Sequence, residues 1–253
     1  MREYEPMSLN IGSSLTGGVL RVANRNGLKL IAGYAVLSLV WQLTFYSVFV
    51  ASVDTTEISP QELGLPTVDA PFALLAVGAV VSLLALQYLS VVALRTFVGG
   101  HAETIPREYF TRNVGYVLVN SVLGSIAYGV LVTVGSLLLV VPGLIAYVAF
   151  LFTLVYVAIE DENFVAALGD SWTLARGHWL RLFVLMVVFS IAVGVVAGIV
   201  SVVASVAVTA AANPSLGTLV SGLVALPLSL LGLGVVAEAY TQLRAARPTT
   251  ESL

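Results

Sequence analysis

The sequence predicts an all-α polytopic membrane protein, a bundle of six transmembrane helices with short amphipathic helices at the interface. Three observations predict it. Of 253 residues only 10% are charged, against roughly a quarter in soluble proteins. Apolar residues make up 58% before the 22 glycines are added, more than the interior of a water-soluble chain of this size can hide. Four uncharged runs of 24 to 56 residues recur along the chain, each long enough to cross a hydrocarbon core of roughly 30 Å. The lipid bilayer is therefore the expected solvent and the first expected partner.

Residues 1–29 form an expected cytoplasmic segment. Arg2, Glu3, Glu5, Arg21 and Arg25 are separated by no long apolar run, unlike a cleaved secretory signal. Within it Ile11, Leu15, Val19 and Val22 make an apolar helical stripe after Ser8 and Asn10, with Arg21 and Arg25 placed to meet lipid headgroups. The runs Leu30–Val53 and Ala70–Leu94 each suit one crossing, giving spans at 30–53 and 70–94. Between Gly99-Gly100 and Asn113 a shorter surface piece, with Pro106 near its start, leads into the third run.

That run, Asn113–Ile159, has 47 residues. As one straight helix it would be about 70 Å long, twice the membrane, so it must fold back. The expected break is Pro142-Gly143, where proline removes a backbone donor and glycine relaxes the turn, giving spans at 114–141 and 143–159. The fourth run, Leu182–Ala237, breaks at Asn213-Pro214-Ser215 into spans at 182–210 and 217–241, leaving a tail at 242–253. Before the fifth span, Phe164, Ala167, Leu168, Ser171, Trp172 and Ala175 recur at helical spacing, with Asp170 and Arg176 elsewhere on the wheel. Asp161 or Asn163 can cap this surface helix and Gly177 can end it.

Six spans place all eleven basic residues on one side. Arg2, Arg21, Arg25 and Lys29 precede span one; Arg95, Arg107 and Arg112 follow span two; Arg176 and Arg181 precede span five; Arg244 and Arg247 follow span six. The long opposite loop holds Asp54, Glu57, Glu62 and Asp69 and no base. By the positive-inside rule both termini are expected in the cytoplasm, in a multi-pass protein of a prokaryotic cell membrane.

The stretch Leu137–Phe183 carries a pattern. Leu138-Leu139-Val140-Val141-Pro142-Gly143-Leu144-Ile145 is followed by an apolar span, then Glu160-Asp161-Glu162, Ala167-Leu168, Ser171-Trp172 and Arg176-Gly177-His178-Trp179. This resembles the membrane domain attached to some bacterial glycerophosphoryl diester phosphodiesterases, and related stand-alone six-span prokaryotic proteins. Pro142, Gly143, Asp161, Ser171, Trp172, Arg176 and Gly177 carry the resemblance. It implies a six-helix membrane domain. The catalytic activity does not carry over, because the enzyme's separate soluble barrel with acidic metal ligands has no counterpart here.

Chemistry-bearing residues are few. With no cysteine, disulfides, thiolate metal sites and thiol nucleophiles are excluded. His101 and His178 both fall in loops, and no paired aspartate, zinc-binding helix motif or phosphate-cradling loop occurs. No metal, no cofactor and no catalytic residue is expected; the scarcity of charged residues argues against a nucleic-acid binder, and a net charge of −3 is too small to point to any partner. Five residues are candidate intramembrane polar contacts. Glu238 near the end of span six either pairs with a nearby arginine or, with Tyr240 and Gln242, contacts a cation or substrate at a cytoplasmic vestibule. Gln42, Gln87 and Asn120 need hydrogen-bond partners in hydrocarbon and are positioned to meet in one polar cluster, as structural glue or as a transport site. Ser121, Ser125 and Gly129 in span three, and Ser190, Gly194 and Gly198 in span five, repeat at four-residue spacing. Spans three and five are therefore expected to pack tightly at the centre. Pro227, Gly232 and Gly234 mark a kink or hinge in span six.

The reading that follows is an integral membrane protein of non-enzymatic role, a scaffold, assembly or lipid-organising module. A membrane-protein partner or a second copy of the chain is its expected associate. A small-solute transporter or permease is the alternative, and a lipid-headgroup enzyme using Glu238, Glu160, Asp161 and His178 a further one.

Overall fold

The computed structural model describes residues 9–53, 64–211 and 214–246. Arg2, Ser8, Asp54, Glu57, Glu62, Asn213 and Arg247 lie outside the described residues. Among those described, all regular structure is helical: α1 (Ile11–Val22), α2 (Arg25–Ser52), α3 (Phe72–Val98), α4 (Glu108–Thr111), α5 (Val114–Leu138), α6 (Val140–Ala149), α7 (Thr153–Ile159), α8 (Phe164–Ala175), α9 (Trp179–Ala211) and α10 (Pro214–Ala245). Six segments are long and apolar enough to cross a membrane: α2, α3, α5, α6 continued by α7, α9 and α10. Large aliphatic side chains stand exposed along them, Leu137 by 81% and Ile191 by 61%. Water would penalise that surface and lipid does not.

Several bounds differ from expectation. Helix α3 continues four residues past Leu94 to Val98, carrying Arg95 into the helix. Helix α2 begins at Arg25 rather than 30 because Asn24 Oδ1 accepts the N–H groups of Asn26 (3.0 Å) and Gly27 (2.9 Å), capping its first turn. Pro214 opens α10, where its missing N–H costs no helical bond.

The long third run turns at Leu139, not at Pro142-Gly143. Leu139 alone is extended (φ −160°, ψ 146°), and α6 resumes at Val140. Pro142 therefore sits in the first turn of α6, where a proline is tolerated. Gly143 serves close approach instead of turning: a Cβ there would lie 2.1 Å from Ser136 Oγ and 2.7 Å from Ser136 N. The second half of the hairpin is itself broken between α6 and α7.

The chain divides into two compact units. One comprises Met1–Leu28, Ser90–Phe189 and Leu231–Leu253, the other Lys29–Leu89 and Ser190–Leu230. In the second unit the α2 and α3 segments approach through small residues, with a Cβ on Gly78 falling 2.9 Å from Thr44 Cγ2. The Val68 N–H donates to Ser47 Oγ (2.8 Å), and Thr218 Oγ1 donates to Gly64 O (3.0 Å). Gln42 is buried in this unit. Its Nε2 donates to Ser38 O one turn back (3.2 Å), and its carboxamide lies so close to Gly222 that a Cβ there would come within 1.9 Å of Oε1.

The expectation that spans three and five are central fails for span five. In α9 the most apolar window is 11% buried, against 50% in the α6–α7 segment. A Cβ added at Gly194, Gly198 or Gly129 would meet nothing within 4 Å. Small residues remove an obstacle to approach but supply no attraction of their own, so their spacing alone does not choose a partner. The packed span is α6–α7, and it is the start of α5, at Ser121 and Gly124, that packs.

In the first unit α1 also departs from its predicted face. Val19 and Leu20 point outward, while Ser14, Gly18 and Val22 are buried. The buried stripe is the small one because α1 crosses α10 closely: a Cβ on Gly18 would fall 2.5 Å from Val235 Cα, and one on Gly234 2.5 Å from Gly18 O. Gly234 is thus a crossing point rather than a hinge, and α10 continues as helix through the buried Pro227.

Candidate functional site

The polar residues of the first unit gather where α1, the α3–α5 connection, the α7–α8 turn and the end of α10 meet. Arg95 lies at the heart of this layer and is 2% exposed. Its guanidinium ties α3 to two other pieces of chain: Nη1 donates to Tyr109 O and Arg112 O (3.0 Å each), while Nε donates to Ala158 O (2.8 Å) and Nη2 to Asp161 Oδ1 (2.9 Å). Asp161 answers from a left-handed turn (φ 54°). It also pairs with Arg112 Nε (3.2 Å) and accepts from Asn113 Nδ2 (2.8 Å). A cation this deep is tolerated only when its donors are filled, and here they are filled by Asp161 and by helix-end carbonyls that α4 and α7 would otherwise leave bare.

Two further pairs complete the layer. Arg21 Nε meets Glu238 Oε2 at 2.6 Å, and the same guanidinium donates to Thr241 Oγ1 and to the Phe97 carbonyl. Arg21 thus turns inward, away from the headgroup role expected of it, and Glu238 pairs with α1 rather than with its neighbour Arg244. Arg244 instead reaches Glu160 Oε1 at 2.7 Å, its guanidinium carbon 5.7 Å from the Tyr240 ring centroid. Tyr240 OH donates to the same Glu160 oxygen (3.0 Å), and its ring stands edge-on to Tyr156 at 5.5 Å. Gln242 joins α10 to the start of α1, accepting from Asn10 N–H (3.2 Å) and Ser14 Oγ (3.2 Å).

The motif around α8 has structural meaning. Helix α8 is capped by Asn163, whose Oδ1 accepts from Val165 N–H and Ala166 N–H, and is stopped by Gly177 at φ +86° beside the exposed Arg176. Ser171 is fully buried against the α6–α7 break. Its hydroxyl donates to Ala149 O (2.9 Å) and accepts the Phe152 N–H (3.0 Å), replacing the helical bonds the break removes. Trp172 lies 5.8 Å from Phe150 and 5.1 Å from Trp179, ring centre to ring centre. Asn120 belongs to this assembly rather than to a glutamine cluster. Its Oδ1 accepts the Phe164 N–H (3.0 Å) at the start of α8, while Nδ2 donates to Tyr116 O (2.9 Å). Gln87 is half-buried on α3.

Two cavities adjoin this layer in the first unit. One, about 320 Å³, is polar and bounded by Arg21, Asn24, Thr96, His101 and Glu238. It corresponds to the predicted vestibule at Glu238, but Tyr240 and Gln242 are not among its walls. The other, about 250 Å³, lies against the α6–α7 break and is bounded mainly by α5, α7 and α10. Among the described residues no three His, Asp or Glu side chains are grouped as metal ligands.

A family model described as a domain of unknown function (DUF7847) matches residues 9–243. The chain belongs to this family. No curated protein and no solved structure matches it. The DUF7847 match covers nearly every helix named above, so the whole assembly is the family's domain, and it carries no link to the glycerophosphoryl diester phosphodiesterases.

Sequence reasoning treated Arg95 only as a loop base, yet it organises the DUF7847 chain's polar layer. A signal was present: Phe97 and Val98 resume the apolar run after it, as they would in a helix that continues through a buried cation. Arg21 and the small face of α1 were masked by a more conspicuous aliphatic stripe.

One side chain in the layer is out of its usual charge state. Burial, a hydrogen bond with Asp170 and the charges of Asp170 and Glu160 push the Glu162 carboxyl up from 4.5 to about 7, with Arg244 opposing them. The folded chain therefore keeps a proton that the unfolded chain has already released. The contribution of this group to stability is full below about pH 4.5, falls as pH rises through about 7, and is lost above. Glu162→Gln is expected to flatten the fall in thermal midpoint between about pH 5 and about pH 8 and to raise the midpoint at the alkaline end. An unchanged pH profile would remove Glu162 as its source.

Proposed function

We propose that this chain is a non-enzymatic multi-pass protein of the cell membrane, with both termini in the cytoplasm, that serves as a lipid-organising scaffold. A membrane-protein partner or a second copy is its associate. One observation carries the reading: the cavity within the spans is walled by hydrocarbon and hydroxyl groups and, apart from the Tyr128 phenol, by no ionising side chain. The charges nearby point the same way, since Glu160, Asp161 and Glu238 are each engaged by an arginine. A general acid, base or metal ligand needs a free carboxylate or imidazole at the reacting atoms. The orientation rests on the one-sided distribution of the bases. The resemblance of Leu137–Phe183 to the membrane domain of glycerophosphoryl diester phosphodiesterases fits the same role, a membrane module beside chemistry done elsewhere.

A second reading, a carrier for a small polar solute, is favoured by the cavity at Arg21, His101 and Glu238. Purification in mild detergent, with native mass spectrometry and lipid extraction, separates the two. Retained lipid or a constant protein partner supports the scaffold. A retained polar solute, or solute flux into proteoliposomes, overturns it.

A further inference from the structure

The cavity of about 250 Å³ beside the α6–α7 break has the build of a ligand site. On one wall α5 places Ser121, Gly124 and Ser125; on the other stand Leu154 and Val157 of α7, with Leu233 of α10 closing it. The break that shapes it is a maintained feature, because the buried Ser171 hydroxyl supplies both hydrogen bonds the interrupted backbone needs.

Two observations say what occupies it. The first is where it opens. Ser125 is exposed at its edge, and the flanking side chains of α5, Leu123 and Ile126, are exposed aliphatics on a segment apolar enough to cross a bilayer. The wall is thus continuous with a surface that lipid covers, and an apolar wall without contacting atoms forfeits its dispersion energy. The second is an unpartnered hydroxyl. Tyr128 OH donates to Tyr147 O and Thr153 Oγ1 to Phe150 O. Ser121, 1% exposed, has a buried Oγ that no donor or acceptor among the described residues reaches. A buried hydroxyl costs stability until something bonds it.

We propose that this cavity binds one hydrocarbon chain of a membrane lipid, whose chain-bearing oxygen accepts a hydrogen bond from Ser121. This rests on the scaffold reading and names the ligand it holds. Entry is lateral, past Ser125, and the headgroup stays at the interface.

The test uses the full chain in phosphatidylglycerol vesicles doped with a phosphatidylglycerol carrying a photoactivatable diazirine on one acyl chain. Cross-linked peptides are mapped after illumination. Label is expected to concentrate on residues 121–128 and 150–157, above that on Ile191, Val195 and Ile199 of α9. Ser125→Leu, which narrows the mouth, is expected to lower it about tenfold, equivalent to about 1.4 kcal/mol. Leu154→Phe fills the cavity from the opposite wall and must give the same loss, so a folding defect in one variant does not decide the result. Ser121→Ala separates the hydroxyl's part, weakening retention without blocking entry. Label spread evenly over the exposed faces, or undiminished in both filled variants, overturns the proposal. If lipid still co-purifies while the cavity stays unlabelled, the site is wrong and the scaffold reading stands. If no lipid is retained and solute flux is seen, both fall.

Discussion

Arg95→Ala is expected to prevent the polar layer of the first unit from forming. The guanidinium satisfies three backbone carbonyls and Asp161 from a position that is almost wholly buried. Its loss removes a donor from each of those carbonyls and leaves Asp161 with only Arg112 and Asn113 beside it. Removing one partner of a buried ion pair costs about 3–5 kcal/mol, and each carbonyl deprived of its donor adds to that. The measurement is the thermal midpoint and yield of detergent-solubilised protein. Arg95→Lys is expected to behave almost as badly, since an ammonium is a point charge with three donors and cannot reproduce a planar fork spanning α4, α7 and the Asp161 turn. Near-native stability in the lysine variant would mean that charge alone, without the fork, holds the layer.

The second large effect is expected at the α5–α6 hairpin. Gly143→Val places carbon where Ser136 backbone and side chain already stand, 2.1 Å from Oγ and 2.7 Å from N. The two helices must part, at a cost of at least the roughly 1–3 kcal/mol typical of an overpacked core. Because the backbone nitrogen obstructs as well as the hydroxyl, adding Ser136→Gly is expected to leave most of the loss in place. Full recovery in the double variant would show that only the serine side chain set the spacing. The readout is again the thermal midpoint.

That hairpin shows where the sequence was legible and where it was not. A run of 47 uncharged residues cannot cross a bilayer once, so its folding back followed from length alone. The same arithmetic yielded six spans in all. Pro142-Gly143 reads in the sequence as the turn, but in the structure it is a packing contact one step beyond it. Turn composition and close-packing composition use the same residues, and only the neighbour across the gap, Ser136, distinguishes them. The site was less legible for a related reason. Hydropathy patterns report how much apolar surface a segment has, not which part of it finds a protein partner. In lipid the large side chains of α1 can face outward, and the small ones decide the contact. Asp161 and Ser171 were visible as a motif, but their roles depend on residues far away in sequence, Arg95 and Phe152 among them. Glu238 reads in the sequence either as an arginine's partner or as a cation or substrate contact, and the arginine it meets is 217 residues distant.

That distance bears on how the protein is made. Arg21 and Gly18 leave the ribosome more than 200 residues before Glu238, Gly234 and Val235. Helix α1 must therefore wait, without the carboxylate that neutralises its guanidinium, until α10 has been made. A chain stalled before that point would display an unmated cation and a bare glycine face.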